Sequence, residues 1–539
     1  MTERPIARAE WLAVLAICAA ASLVAIAWSW RHAAMLNYGD ALAHMHIARR
    51  VIDGRRPGLS ELGSVWLPLP HLLMIPFVAV YAWWANGIAG LIPSAAAYLA
   101  GCAGVYRLAR RWLRPAEAAV ALAFFAFNPN LLYMQTTAMT EPLFVCEMVW
   151  ASAWLVEWRT CLDRSDAASM RRANRLLYLI AVALSAAVFT RYDGWVMAFL
   201  AWVAIGLMLL KRGRLGSLHF WIAGLIVVAS PVVWFSYNAV VFGDWLDFMR
   251  GPYSAKAIEL RTATPGNGPP HPGWHNPWTS LKFFVKTAEM DAAGERWGTW
   301  LVGASLLGVA WAGLIARRRA FCWSLLLWLP VPFYAYSVAY GSVPIFIPPW
   351  WPHSWYNTRY GLELLPAFAL GIAFFTNFVL TGAGEIRPRW PRFVLTGMFA
   401  LIAINAVILI REHPLCYIEG TKNLASRRDY DAEIPPLLRA LVARHAGAPV
   451  LMNTSVHPEF VARSGFPLRQ SINESDREYL QAALAAPAAQ AAIVLAYDGD
   501  DVDRAVKAHP EGLTMVRRFQ MKDQPGITIY VSDTYGSAR

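Results

Sequence analysis

The feature that most limits how this chain can fold is a recurring alternation of long apolar runs with short basic connectors. Residues 11–30, 176–189, 195–210, 220–242, 301–316 and 393–410 are almost wholly apolar. They match the roughly 20 residues an α-helix needs to cross a bilayer. Inside lipid the backbone must satisfy its own hydrogen bonds, so such runs are expected to be helices. With 57% hydrophobic residues the chain excludes an ordinary soluble enzyme. The first run lacks a small-residue cleavage site after a short apolar core, so it reads as an uncleaved span.

Arginine and lysine collect in connectors at 107–114, 159–175, 211–214, 317–319 and 387–392, with Arg4 and Arg8 ahead of the first run. Positively charged connectors stay in the cytoplasm, so these sites predict cytoplasmic sides. The loops at 35–65, 128–140, 190–194, 243–297 and 341–358, and everything after 411, then lie outside. The net charge of +12 follows from these connectors and is not the footprint of a nucleic-acid binder. Residues 66–84 and 88–108 both resemble spans, but the charge tally allows an odd number of crossings there. Taking 66–84 as lying along the outer interface gives about 11 spans, and up to about 13 if both cross. The six cysteines form neither a disulfide framework nor a CxxC metal pattern.

After residue 411 charges of both signs mix, and short β-rich runs alternate with helical patterns. The expectation is a small soluble α/β domain over 412–539, following a membrane domain over 1–411. Strands are predicted at 450–453, 491–497, 514–520 and 527–531, with helices at 430–445, 474–485 and 501–508. Asp498, Asp500, Asp501 and Asp503 precede the last of these helices. Capping and dipole compensation explain that cluster more readily than a metal does.

Polar groups at the outer ends of spans are expensive unless they serve a cavity, and four such groups occur. The first follows the opening span: Asp40, with His44 one helical turn on, then Arg49, Arg50, Arg55 and Arg56. A carboxylate can take a proton, and guanidinium groups can hold a phosphate; the alternative for these arginines is snorkelling to lipid headgroups. The second is Thr140-Glu141-Pro142 opening an apolar helix, where Glu141 would also complement the helix dipole. The third is the turn Thr190-Arg191-Tyr192-Asp193-Gly194, in which Arg191 and Asp193 would otherwise pair with each other. The fourth is the stretch 350–366, with His353, Asn357, Arg359, Tyr360 and Glu363 among aromatic residues that also suit an interfacial belt. The long loop at 243–297 carries Lys256, a possible phosphate contact if the loop is a lid, or a plain residue of a flexible connector if it is not. His271, His275 and His353 lack the spacing of a zinc site.

These motifs, in this order and on this side of the membrane, resemble the glycosyltransferase superfamily of GT-C fold. Its members include protein O-mannosyltransferases and the transferases that add aminoarabinose to lipid A. The resemblance rests on Tyr38-Gly39-Asp40, Thr140-Glu141-Pro142-Leu143-Phe144, Thr190-Arg191-Tyr192-Asp193, Phe242-Gly243-Asp244 and Asn357-Thr358-Arg359-Tyr360. It implies a polytopic α-helical membrane protein that moves a sugar from a polyprenyl-phosphate donor to an extracytoplasmic acceptor with inversion. It further implies Asp40 as general base, and His44, Glu141, Arg191, Asp193, Lys256, His353, Arg359 and Tyr360 as substrate-binding residues. A divalent metal, Mg2+ or Mn2+, on Asp40 and Glu141 is a further implication, as is a prokaryotic plasma-membrane location. Two departures stand out: Asp40-Ala41 replaces the Asp-Glu of many relatives, and the WWDYG signature of oligosaccharyltransferases is missing. Two other functions fit the same spans: a transporter or flippase of lipid-linked sugars, and a noncatalytic scaffold presenting the C-terminal domain.

Overall fold

The computed structural model describes residues 6–164, 166–262, 269–295, 297–315, 321–386, 390–522 and 524–535. Arg4, the connector at 317–319, and parts of the connector at 387–392 and of the loop at 243–297 lie outside the described residues. Among the described residues, seven helices are long and apolar enough to cross a membrane: Arg8–Arg31, Ile88–Arg110, Ala167–Thr190, Asp193–Lys211, Leu218–Phe242, Thr358–Ala383 and Pro391–Ala425. Shorter apolar helices cover Leu69–Val78, Pro115–Ala126, Gly298–Gly313 and Ser324–Tyr340. The chain is a multi-pass membrane protein.

The stretch at 66–84 breaks into the helices Leu69–Val78, with Pro76 inside it, and Tyr81–Asn86. Ten residues at a rise of ~1.5 Å cover about 15 Å, half the thickness of a hydrocarbon core, so neither helix crosses alone.

Contacts divide the chain into two compact units. The first comprises Met1–His32, Ser64–Pro70 and Pro93–Glu419. In it Ala167–Thr190 packs against Glu141–Arg164, Asp193–Lys211 and Leu218–Phe242, while Leu365–Ile386 packs against Gly298–Ala310 and Pro115–Ala126. Two small residues set the closest approach. A Cβ added at Gly308 would lie 2.0 Å from the Gly371 carbonyl oxygen, and one at Gly371 would lie 2.1 Å from Ser305 Oγ. Small residues let helix backbones meet where no hydrophobic drive separates helix from lipid. Glu141–Arg164 is long but carries charges, which find partners inside the protein: Thr190 Oγ1 donates to Glu147 at 2.9 Å, and Arg107 to Glu157 at 2.7 Å.

The second unit comprises Ala33–Gly63, His71–Ile92 and Gly420–Arg539. Its mixed sheet has strands β1 (Val450–Met452), β2 (Ser471–Ile472), β3 (Ile493–Tyr497), β4 (Leu513–Phe519) and β5 (Ile527–Ser532) in the order β2-β1-β3-β5-β4. β1 pairs in parallel with β2 and β3; β5 pairs antiparallel with β3 and β4. β3 is buried along its whole length, as the central strand of a sheet covered on both faces should be. On one face Val494 and Ala496 pack with Val502 and Val506 of the helix Asp501–Ala508. The four expected strands and the helices Arg428–Arg444, Arg477–Ala485 and Asp501–Ala508 are present. β2 was not expected, since two residues carry no periodicity. The aspartate cluster does cap: Asp500 accepts from Asp503 N at 2.7 Å, Asp503 accepts from Gly499 N at 2.8 Å, and Asp498 pairs with Arg518 at 2.6 Å.

Candidate active site

In the first unit, helix ends converge on a buried polar cluster. Thr140 and Glu141 sit at the start of Glu141–Arg164, and Arg191 to Asp193 form the turn between Ala167–Thr190 and Asp193–Lys211. Arg359, Tyr360 and Glu363 lie on the 3-10 segment Thr358–Leu364. Arg191 is the hub. Its Nη1 donates to Thr140 Oγ1 at 3.0 Å and Glu141 Oε1 at 3.2 Å, its Nη2 to the Tyr334 hydroxyl at 2.8 Å, and its Nε to Asp193 Oδ2 at 3.3 Å. Nη2 also stands 3.3 Å from Glu363 Oε1, which accepts from the Tyr334 hydroxyl at 2.7 Å.

Arg359 closes the other side, with Nε 3.0 Å from Glu141 Oε1 and Nη1 2.6 Å from Glu419 Oε1. Asn357 has a φ of 55°, in the left-handed region that asparagine tolerates better than most residues. That conformation turns two successive backbone N–H groups, of Asn357 and Thr358, onto the Glu419 carboxylate, each at 2.9 Å. Tyr360 stacks on Tyr334 with ring centroids 5.1 Å apart, and the Arg191 guanidinium lies 4.8 Å from the Tyr360 ring centre.

Three of the four polar groups seen in the sequence therefore meet, through Glu141, Arg191, Asp193, Arg359, Tyr360 and Glu363. Arg191 and Asp193 pair as the simple turn reading has it, and both also join the wider cluster. Tyr334 and Glu419 were not anticipated. Tyr334 is hidden among other tyrosines in the helix Pro330–Tyr340, and Glu419 falls in a stretch read as exterior; its only sequence signal is a lone acid beside Leu415, Cys416 and Ile418. Asp291, fully buried nearby, has its carboxyl pushed well up by burial and by the Glu419 carboxylate.

The other expected residues have different surroundings. Lys256 is exposed and its Nζ lies 3.2 Å from Glu259. His353 is exposed, and its Nδ1 is 2.9 Å from the Pro348 carbonyl oxygen. In the second unit, Asp40 occupies the first turn of the helix Gly39–Asp53 and is partly exposed. His44, buried on the same helix, shares a 2.8 Å hydrogen bond with His71 through its Nδ1.

The arginines after Asp40 have protein partners. Arg49 pairs with Asp53 at 2.7 Å, Arg50 donates to the Glu61 carbonyl at 2.8 Å and to Ser475 Oγ, Arg55 donates to the Ser471 carbonyl at 2.7 Å, and Arg56 pairs with Glu478. Arg50, Arg55 and Arg56 tie this segment to residues more than 400 positions along the chain. Sequence spacing cannot show such partners.

Glu141 Oε1 faces two guanidinium groups, while its Oε2 is buried without a hydrogen bond of good geometry.

No protein-family model matches the chain, and no curated protein matches it. Among solved structures, ArnT from Cupriavidus metallidurans bound to undecaprenyl phosphate superposes with a TM-score of 0.57 at 14% identity, covering 98% of this chain and 100% of that one. The apo state of the same ArnT gives 0.54 at 14% identity, covering 97% and 98%. The chain has the GT-C fold. At this identity the likeness speaks to the GT-C architecture alone.

Proposed function

We propose that the chain is an inverting glycosyltransferase that takes a sugar from a polyprenyl monophosphate and gives it to an acceptor hydroxyl outside a prokaryotic plasma membrane. The observation that carries this reading is the loose pairing of Arg191. Its contacts to Glu141, Asp193 and Glu363 are 3.2 to 3.3 Å long, against the ~2.7–2.9 Å of a tight charge-assisted bond. A phosphate could take over these N–H groups in shorter bonds. The GT-C fold supports the class, and the ArnT structure with undecaprenyl phosphate supports a polyprenyl-phosphate partner.

In this reading the acceptor oxygen attacks the anomeric carbon, its proton passes to Asp40, and the bond from that carbon to the phosphate oxygen breaks. Polyprenyl phosphate leaves. Arg191 and Arg359, with Lys256 at the loop, stabilise the charge that grows on the departing phosphate. Asp40 is assigned by the resemblance, as are the contacts of His44, His353 and Tyr360 with substrate. Residues 1–411 would be the catalytic domain and 412–539 an extracytoplasmic domain.

The test is sugar transfer from a radiolabelled polyprenyl-phosphate sugar pool in membranes carrying wild type or Asp40→Asn at matched protein level. We expect transfer to fall by about 100-fold or more while donor binding persists. Undiminished transfer by the variant removes Asp40 from its role. Absence of transfer by wild type as well would favour a transporter or scaffold.

A further inference from the structure

The second unit holds a group of side chains whose chemistry is that of a transition-metal site. Asp431 comes from the helix Arg428–Arg444; His457 and Glu459 follow β1, at the start of the helix Glu459–Ser464. One ligating atom from each lies within 4.8 Å of the others. His457 Nδ1 is 3.3 Å from Glu459 Oε1 and 3.9 Å from Asp431 Oδ1. Ligands around a tetrahedral ion with bonds of ~2.0–2.1 Å stand about 3.3 Å apart, so little movement would bring these three atoms to ligand spacing.

The three side chains are only 1 to 3% exposed. The His457 ring is stacked against Phe460 at 4.6 Å and Tyr497 at 5.8 Å, which fixes the direction of its nitrogens.

A second observation comes from a different part of the chain. His46, on the helix Gly39–Asp53, is 4% exposed, lies near the Pro458 carbonyl and the Glu459 carboxylate, and neither of its ring nitrogens makes a well-formed hydrogen bond. Glu459 Oε2 and both Asp431 carboxylate oxygens are likewise buried without a hydrogen bond of good geometry. Buried polar atoms are nearly always hydrogen-bonded, so this many together mark a place built for something more.

Two arginines flank the group. Arg427 Nη1 stands 3.4 Å from Glu459 Oε1, and Arg463 Nη1 stands 3.3 Å from Asp431 Oδ2. Arg427 is held independently, donating through Nη2 to the carbonyls of Leu36 and Asn37 at 2.8 and 2.9 Å, and Arg463 is one-third exposed. Neither depends on these carboxylates for its only partner. A cavity of about 500 Å3, lined by Tyr81, Asp431, Arg439 and Arg463 among others, reaches Asp431 and provides an entry path.

We propose that Asp431, His457 and Glu459 bind one divalent ion of the zinc class, with His46 as the fourth ligand. Two imidazole nitrogens with two carboxylate oxygens suit Zn2+, whereas Mg2+ and Ca2+ prefer all-oxygen shells. The ion would pin the helix that carries Asp40 to the elements around β1, a structural role.

The test uses the full chain in detergent, purified without a histidine tag, stripped with a chelator and dialysed against Zn2+. Wild type should retain one equivalent by mass spectrometry of the metal, and Co2+ in its place should give the intense visible absorption of a tetrahedral site. His457→Ala and Glu459→Gln should each weaken zinc binding more than about tenfold, while Arg517→Ala, on the exposed strand β4, should bind as wild type does. Failure of wild type to take up one equivalent overturns the site, as does unchanged binding by both ligand variants. If those variants do not fold, the wild-type cobalt spectrum decides alone, and absence of the tetrahedral bands overturns it.

Discussion

Tyr334 shows what a single hydroxyl does in the buried cluster. It accepts from Arg191 at 2.8 Å and lies 2.7 Å from Glu363 and 3.3 Å from Asp193. Glu363 is fully buried, and its Oε2 has no hydrogen bond of good geometry, so Oε1 carries the satisfaction of that carboxyl. Tyr334→Phe should keep the stack on Tyr360 and Phe284 but leave Glu363 underpaired. The expected cost is about 1–3 kcal/mol, seen as a lower melting temperature in detergent; an unchanged melting temperature would mean that the hydroxyl has a replacement partner. At this scale the sequence showed which residues were costly to place, because a polar side chain at a helix end is visible in one dimension. It did not show Tyr334 or Glu419, since their partners lie 29 to 143 residues away along the chain. It also did not show the protein partners that Arg49, Arg50, Arg55 and Arg56 find in the fold.

At the scale of elements, the membrane helices and the strands were legible for different reasons. Length and apolarity mark a span directly, and a fully buried strand such as β3 reads as a short unbroken apolar run bounded by turn residues. Glu141–Arg164 was harder, because its acids and two arginines lower its hydropathy while neighbouring helices supply partners for several of them. Helix contact through small residues is a further property that composition hides. Gly308 and Gly382 look alike in sequence, yet only Gly308 faces a backbone, that of Gly371, while a Cβ at Gly382 would meet nothing within 4 Å. Gly308→Ala should therefore force Gly298–Ala310 away from Leu365–Ile386 at a cost of about 1–3 kcal/mol. Gly382→Ala should be neutral or slightly stabilising, since alanine is the better helix former. Thermal unfolding of the two variants side by side checks this, and equal destabilisation would show that the loss comes from the helix backbone and not from the crossing.

For the whole molecule, the placement of the cations predicts an orientation. The connectors at 107–114 and 211–214 keep their arginines although several are internally paired: Arg107 with Glu157 at 2.7 Å, Arg110 with Glu10 at 2.6 Å, and Arg212 with Asp163. Pairing does not weaken the argument, because the rule counts lysine and arginine near the span ends and takes little account of acids. Orientation is also fixed during insertion, before those pairs exist. The chain should therefore sit with Arg214 in the cytoplasm and the sheet of the second unit outside. Arg214→Cys and Asp501→Cys, each in a background lacking the six native cysteines, separate the possibilities, since both positions are exposed. A membrane-impermeant maleimide added to intact cells should label position 501 and spare position 214 until the membrane is opened. The reverse pattern would invert the topology and put Asp40 on the side of the membrane where the proposed extracytoplasmic acceptor is absent, so it would overturn the transferase reading together with the orientation.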